Sequence, residues 1–317
     1  RNFGREGKGM QFIRPTIITD SILTSTDVTE ADYTAWAIGT TYSAAQRCIV
    51  TTPNVHKIYE SLAGGNIGHD PVVDCALATP LYWKVVSATN RWKVFDAKVG
   101  DQTSKATSMN YVLTPGIIDS IAILNMDATS VALVMTDPVE GVVYNETIGL
   151  ISTINVVDWY TYFFEPIIRA VDLVKSDLAE VDLPPYLNAT LSITITYAGG
   201  TAKCGEIVIG LKSQFGKMKY GPRVGITDYS TKTADDAGNY TITTRAFSKR
   251  MTCDLLIKNT IIDEIFRQLA LYRATPVVWV GSEAYTTLIV FGFYKDISIG
   301  IPYRNFSVCN LEIEGLT

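Results

Sequence analysis

The sequence is poor in the residues that most catalytic and metal sites require. It has two histidines, His56 and His69, and five cysteines with no C-x-x-C pair among them. A zinc site, or a nucleophile activated by histidine, would have to use one of those two histidines. The scattered, odd-numbered cysteines are typical of buried thiols made in a reducing cytosol. We therefore expect no metal and no cofactor, and hydrolytic chemistry is disfavoured.

Long apolar runs and a surplus of positive charge are also missing. No segment approaches the roughly 18 apolar residues of a membrane-spanning helix, and residues 1–10 lack the apolar core of a secretion signal. With 27 Lys and Arg against 32 Asp and Glu, the chain is a poor candidate for sequence-independent nucleic-acid binding, which needs a basic surface. We expect no membrane insertion and no nucleic-acid partner.

What the sequence does contain is enough apolar residues for two or three domains, since 47% of its 317 residues are hydrophobic. Residues 1–31, rich in Thr, Ile and Ser, predict an extended N-terminal arm that lies on the body of the protein or on a neighbouring subunit. Met10 is a candidate translation start. Residues 32–96 predict a compact, aromatic-rich unit in which five acidic side chains balance five basic ones.

The remaining chain predicts a mainly β fold. Between residues 97 and 250, apolar runs recur without clear amphipathic helices, a pattern typical of an antiparallel β-sandwich. Pro138 and Gly141 predict a turn at 137–141. Alternating apolar residues at 191–197 precede Gly199–Gly200, where we expect the chain to reverse. The segment at 166–185 fits helix and strand equally well.

The last part of the chain, residues 251–317, predicts an α+β portion that completes the sandwich. Its one clear helix is expected near 260–272, with Asn259 or Thr260 as the cap and with Ile265 and Leu269 on the apolar face. Apolar stretches after the helix predict further strands.

An aromatic motif marks the unit at 32–96. Trp36-x-x-Gly39-x-x-Tyr42 is followed by the apolar pair Ile49 and Val50. Further along come Tyr59, Pro71, Trp83 and Trp92. Over residues 36–92 this arrangement resembles the small carbohydrate-binding modules attached to chitinases and related hydrolases. It departs from them in having Ala45-Gln46 where those modules commonly carry Gly-Asp, and in a longer spacing before Trp83.

This resemblance implies roles for the aromatic side chains. In such modules an exposed indole stacks on the apolar face of a sugar ring, which makes Trp83 the leading sugar-stacking candidate. Tyr82 and Tyr59 are its candidate companions. The expected core residues of the module are Trp36, Tyr42 and Trp92. The alternative is that all these aromatics serve packing or docking, because a unit of this size needs them to build a core.

Several longer segments resemble a second group of proteins. They are "TNRWKVFD" (89–96), "DWYTYFFEP" (158–166), "RVGITDYS" (223–230) and "VCNLEIEGL" (308–316). Together with the module, they look like proteins encoded among the tail genes of tailed bacteriophages and prophages. The predicted sandwich is similar in outline to galactose-binding-like domains, which bind sugars in some proteins and hold assemblies together in others.

The second resemblance implies a non-enzymatic structural component of a phage tail, in the tail tip, baseplate or fibre-attachment region. Such a protein is made in the cytoplasm of the host bacterium and enters the virion through contacts with copies of itself and with other tail proteins. A host cell-surface glycan is a further candidate partner of the module. Two alternatives stay open: a carbohydrate-binding adsorption protein, and a tail-associated glycan hydrolase.

Acidic residues provide the case for that hydrolase. Asp158, Glu165 and Asp172 are candidate acid and base groups, although their aromatic neighbours favour a structural plug. Acidic side chains also gather in the loop at 228–239, but their spacing does not match an EF-hand. A solvated loop in which Arg245 pairs with Asp228 or a neighbour is the stronger interpretation. The two histidines are expected at the polar rim of the module or in solvent.

Overall fold

The computed structural model describes residues 9–151, 159, 163, 175–234, 238–282 and 285–317. Strands dominate these ranges, and every described pair of neighbouring strands is antiparallel except for one isolated bridge, between Ala35 and Ile49. The fold is mainly β, with two large sheets consistent with a β-sandwich and one clear helix, as the sequence predicts. None of the described helices is long and apolar enough to cross a membrane.

The elements follow in chain order. The strands of the first half are β1 (Met10–Pro15), β2 (Leu23–Thr26), β3 (Arg47–Val50), β4 (Lys57–Ser61), β5 (Trp83–Ala88), β6 (Thr103–Leu113), β7 (Ser120–Leu124), β8 (Ser130–Asp137) and β9 (Gly141–Gly149). Those of the second half are β10 (Leu178–Glu180), β11 (Thr190–Cys204), β12 (Glu206–Met218), β13 (Arg223–Asp228), β14 (Thr231–Ala234), β15 (Tyr240–Thr243), β16 (Phe247–Lys258), β17 (Val277–Val280), β18 (Ile289–Gly300) and β19 (Phe306–Gly315). The helices are α1 (Pro71–Asp74) and α2 (Ile262–Leu271), with 3-10 turns at Lys93–Phe95, Asn259–Ile261 and Thr286–Leu288.

The larger sheet has nine strands in the order β10-β7-β12-β1-β17-β18-β19-β16-β13. Strand β1 lies inside this order, since it pairs with β12 on one side and with β17 on the other. Residues 10–15 are therefore an internal strand, and the expectation of an arm through residue 31 is wrong for them. Phe12 explains the difference, because its ring packs within 4.9 Å of Phe215 and 5.6 Å of Trp279 in the core.

The smaller sheet has five strands in the order β2-β6-β11-β8-β9. Its inward side chains, such as Leu133 and Ile193, share one apolar core with Ile121 and Ile209 of the nine-stranded sheet. Ile209 lies opposite Ile121 in the register of that sheet. The two sheets therefore pack face to face, with alternate residues of each strand buried between them.

Helix α2 covers the other half of the same face of the nine-stranded sheet. Ile265 and Leu269 are buried in a core with Phe12 and Trp279, which confirms the predicted helix and its apolar face. The predicted cap is wrong, because the Asn259 side chain donates to the carbonyl oxygens of Tyr303 and Arg304, each at 2.9 Å. Asn259 thus holds the loop before β19 instead of the helix start. The strands of residues 251–317 join the nine-stranded sheet, as expected for a segment that completes the sandwich.

Two predicted turns have opposite outcomes. The turn between β8 and β9 is confirmed: Asp137 Oδ1 accepts the N–H groups of Val139 and Glu140 at 2.9 and 3.1 Å, and Gly141 has a φ of 78°. The reversal at Gly199–Gly200 is wrong, because β11 continues through both glycines to Cys204 with an irregularity in its pairing with β6. A glycine with positive φ inside a strand here marks a bulge, not a hairpin.

The chain instead changes sheets at Gly205, between β11 of the smaller sheet and β12 of the larger one. A Cβ atom on Gly205 would lie 2.2 Å from the carbonyl oxygen of Val99. Any side chain at this position would push apart two backbone segments that pack directly on each other. The crossing between the sheets therefore depends on glycine.

We predict that Gly205→Ala lowers the free energy of unfolding by about 1–3 kcal/mol, since the added methyl group has no room. Chemical denaturation followed by circular dichroism measures this change. The matched control is Gly39→Ala, because a Cβ atom there meets nothing within 4 Å. Equal stability of the two variants would contradict the tight crossing.

Candidate functional site

The unit predicted at 32–96 contains a small sheet of three strands, β3-β4-β5, flanked by helix α1. Its core consists of Tyr42, Cys48, Val50, Tyr59 and Trp83. The ring of Tyr42 meets that of Trp83 edge-on at 5.0 Å, and the Trp83 indole N–H donates to the His69 carbonyl oxygen at 2.8 Å. Trp83 is thus fixed by both packing and a hydrogen bond.

The leading sugar-stacking candidate is therefore wrong as a solvent-facing platform. Trp83 is 0% exposed, and its companion Tyr59 is buried as well. Asp74 accounts for this placement, because its carboxylate accepts the backbone N–H groups of Tyr82 and Trp83 at 3.0 and 2.9 Å. These bonds set the start of β5 so that Trp83 points inward, while its neighbours on either side point outward.

Tyr82 is the one candidate of the three that keeps exposed surface. It is half-buried against the module core, and its ring stacks on His69 with 3.4 Å between ring centroids and an angle of 8°. A flat pair of rings at a surface is suited to the apolar face of a sugar. Glycan binding by the module stays a prediction, now centred on Tyr82.

The expected core residues of the module lie in two places. Tyr42 is buried in the module core, and Trp36 packs against it while staying half-buried. Trp92 is also buried, but it stacks on His56 at 4.4 Å and meets Phe95 edge-on at 5.9 Å. Phe95 in turn contacts Tyr111 of the sandwich. Trp92 thus belongs to a row of rings that joins the module to the sandwich.

His56 is the centre of a polar junction that the sequence pattern did not predict. His56 is 7% exposed, whereas we expected it at the polar rim of the module or in solvent. Its Nδ1 lies 2.9 Å from Glu30 Oε1 and its Nε2 lies 2.9 Å from Asp20 Oδ1. Thr89 also donates to Glu30, at 2.7 Å. Glu30 and Asp20 lie in the segment before the module, 26 and 36 residues from His56. A local sequence motif therefore could not predict the junction.

The same junction affects Asp20. Burial alone would raise the pKa of its carboxyl group, but the N–H of Asn54 and the ring of His56 both donate hydrogen bonds to it and lower the pKa below its usual value. The charged form of Asp20 is therefore part of the contact between residues 16–31 and the module. That segment lies on the body of the protein, one of the two placements expected for the arm.

A second pair of acids, the buried Glu206 and the half-buried Asp96, lies where the module meets the sandwich. Burial raises the pKa of Glu206 to about 9, with a further contribution from the charge of Asp96, although the N–H of Ala97 donates to Glu206 at 3.0 Å. Burial also raises the pKa of Asp96 to about 6. Glu206 is therefore protonated at neutral pH. Neither group lines the cavity described below.

We predict that Glu206 makes the protein less stable as pH rises. Its pKa is raised in the folded state. Its contribution to the free energy of unfolding is therefore complete below the pKa of the unfolded state, near 4.3, and is lost as pH rises towards about 9. The loss is at most roughly 1.4 kcal/mol per pH unit. Urea denaturation at pH 5, 7 and 9 should show this decline in wild type and a shallower one in Glu206→Gln, which keeps the bond from Ala97.

The control is Glu140→Gln, which removes an exposed carboxyl group and should keep the wild-type slope. A Glu206→Gln variant with the same pH dependence as wild type would contradict a protonated Glu206.

A cavity of about 260 Å³ lies under the end of β19. Its walls include Leu124, Phe291 and Leu316, with Asp177 and Lys249 at one side. Asp177 is fully partnered: it pairs with the Lys249 ammonium group and accepts the N–H of Asn125 at 2.9 Å. The charged pair is therefore part of the scaffold between β16 and the segment before β10.

The other acidic candidates give no metal or catalytic site among the described residues. Asp158, Glu165 and Asp172 lie outside those residues, as do Asp235 and Asp236 of the predicted loop. In the part of that loop that is described, Asp228 pairs with Lys232 at 3.7 Å, and the Arg245 backbone N–H donates to Ser230. No group of three potential metal ligands occurs in the described ranges. All five cysteines are free thiols; four are buried, as predicted, whereas Cys75 is half-buried.

The outer edges of the two large sheets form a different kind of candidate site. The five-stranded sheet ends at β9, and the nine-stranded sheet ends at β13. Beyond β13 and β16, the strands β14 and β15 continue as a separate two-stranded ribbon in which every described residue is exposed. The ribbon carries exposed apolar side chains, including Tyr240 and Ile242. An isolated two-stranded ribbon is at best marginally stable in water.

No protein-family model matches this chain, and no curated protein is similar enough to be a relative. Function has to be inferred from the residues and their geometry.

We predict that Trp83→Ala destabilises the protein by about 3–5 kcal/mol, because it leaves a large cavity in the module core. Tyr82→Ala, the matched variant at the preceding position, should lower the free energy of unfolding by roughly 1 kcal/mol because the Tyr82 side chain is half-exposed. Denaturation followed by tryptophan fluorescence compares them. Similar losses for both variants would contradict the burial of Trp83.

Proposed function

We propose that this protein is a non-enzymatic structural component of a phage tail, in the tail tip, baseplate or fibre-attachment region. The observation that carries the proposal is the exposed ribbon of β14 and β15 together with the open sheet edges β9 and β13. Exposed strand edges and apolar side chains without a core of their own are features of surfaces that pair with another chain. We propose that the assembly is a phage tail because four short segments of the chain resemble tail proteins.

Assembly is favoured over catalysis by the placement of the reactive groups. The strongly perturbed acids, Glu206 and Asp96, lie at a buried junction, and His56 is enclosed by Asp20 and Glu30. In the described ranges, each of these groups holds two parts of the chain together. A tail-associated glycan hydrolase is therefore the weaker alternative.

A host-glycan contact through the module is the second candidate function. It rests on the stacked surface pair of Tyr82 and His69 and on the resemblance to carbohydrate-binding modules. Stacking on a single sugar ring is weak, but several copies on one particle multiply the avidity. In this alternative the protein serves adsorption to the host surface in addition to assembly, or as its main task.

The proposal predicts that the protein is incorporated into particles. A phage or prophage that encodes this chain is produced, its particles are purified on a density gradient, and the chain is detected by antibody and mass spectrometry. We expect a constant number of copies per particle. Intact tails that assemble without the chain, while it stays in the cytoplasmic fraction, would contradict the proposal.

Two variants separate the assembly and glycan roles. In the first, an Asn-Gly turn replaces residues 230–245, which is geometrically feasible because the Tyr229 N–H donates to the Ala246 carbonyl oxygen at 3.3 Å. We expect this variant to fold but to enter particles poorly. In the second, Tyr82→Ala, incorporation should be normal, and any loss of adsorption then reports on the glycan contact.

A further inference from the structure

The two open sheet edges carry charges of opposite sign. The hairpin of β8 and β9 has Asp137, Glu140 and Glu146, and no Lys or Arg occurs between residues 137 and 149. Glu140 and Glu146 are exposed, and neither forms an ion pair with another described residue. Within the described residues, β9 has one strand neighbour, β8. One side of β9 thus has no strand partner among the described residues, and its setting is acidic.

The opposite edge is basic. Residues 217–250, which include β13 and the ribbon, carry seven Lys and Arg against three Asp, whereas residues 97–216 carry six Lys and Arg against thirteen Asp and Glu. Arg223, Arg245 and Arg250 are exposed, and none of them has an ion pair in the described part of the chain. Strand β13 has β16 as its one strand neighbour in the described ranges, so its other side also has no strand partner there.

Both edges expose apolar side chains beside these charges. Val139 and Val142 of the acidic hairpin are 88% and 61% exposed, and Ile226 of β13 is 69% exposed with Val224 beside it on the same face. Hydrophobic side chains on exposed strand edges favour pairing with another strand. The other end strands of the two large sheets, β2 and β10, have four and three residues and are shorter than β9 and β13.

We propose that β13 of one copy of this chain adds to β9 of a second copy, so that the nine-stranded sheet of one continues into the five-stranded sheet of the next. Backbone hydrogen bonds supply the contact, as in other cases of strand addition. Opposite charges choose the partner edge, because β9 against β9 would bring acids together and β13 against β13 would bring arginines together. The occupant of each edge is thus the other edge of a second copy.

This pairing has a consequence for the symmetry of the assembly. Two different edges meet, so the interface is heterologous, and a pair of copies still has one free β9 edge and one free β13 edge. Repeated addition closes into a ring or continues as a helix. The inference rests on the proposed function in that it names the contact through which the copies assemble.

Charge reversal on purified protein tests the pairing directly. One variant carries Glu140→Lys and Glu146→Lys, and the other carries Arg223→Glu and Arg245→Glu. The association of each is measured by size-exclusion chromatography with light scattering over a range of concentrations at low salt. We expect wild type to assemble, and each variant alone to associate at least tenfold more weakly because its two edges now have like charge.

The equimolar mixture is the decisive sample, since each edge of one variant then faces an edge of opposite charge on the other. We expect assembly to return in the mixture. Wild type that stays monomeric, variants that assemble as wild type does, or a mixture that stays as dissociated as its components would overturn the proposal.

Hydrogen exchange of wild type keeps the test valid even if a variant folds poorly. Raising the concentration should protect the amides of β9 and β13 together, while those of the β2 edge serve as an internal control. Unchanged exchange in β9 and β13 in an assembled sample would overturn the proposal. The measurement uses isolated protein, so a failure here leaves the particle-incorporation test of the proposed function independent.

Discussion

The insertion of β1 between β12 and β17 is the constraint on which the rest of the structure depends. It brings residues from the start, the middle and the end of the chain into one sheet. Phe12 then packs with Phe215 and Trp279, and the neighbouring Ile13 enters the core on the opposite face. In the described ranges, the longer end strands of the two large sheets are β13 and, in the second sheet, β9.

The aromatic module is attached to this scaffold through its base. His56 forms hydrogen bonds with Asp20 and Glu30, which lie in the segment between β1 and the module. Its ring stacks on Trp92. Trp92 contacts Phe95, and Phe95 contacts Tyr111 of the sandwich. The module is therefore held by charge and by ring packing at one junction. The surface around Tyr82 and His69 belongs to its own small sheet and α1, not to that junction, which is compatible with contact to an outside ligand.

Features that depend on near neighbours in the sequence were predictable, whereas those that depend on distant neighbours were not. The turn after Asp137 and the apolar face of α2 follow from local spacing, and the structure has both. Whether Gly199–Gly200 makes a hairpin or a bulge depends on β6, a strand from another part of the chain. The inward orientation of Trp83 depends on Asp74, which lies nine residues earlier, and the His56 junction depends on acids before the module. Sequence spacing carries no signal for such contacts, and the charges of the two sheet edges acquire meaning only when their positions are known.

A protein that works by edge-to-edge pairing of copies should show that pairing in its native setting. The most direct measurement is a cryo-electron microscopy map of the tailed particle at a resolution that separates strands. The account predicts neighbouring copies of this chain with β13 of one lying beside β9 of the next, in a continuous sheet. A map in which copies of the chain touch through other surfaces, with both edges facing solvent, would contradict it.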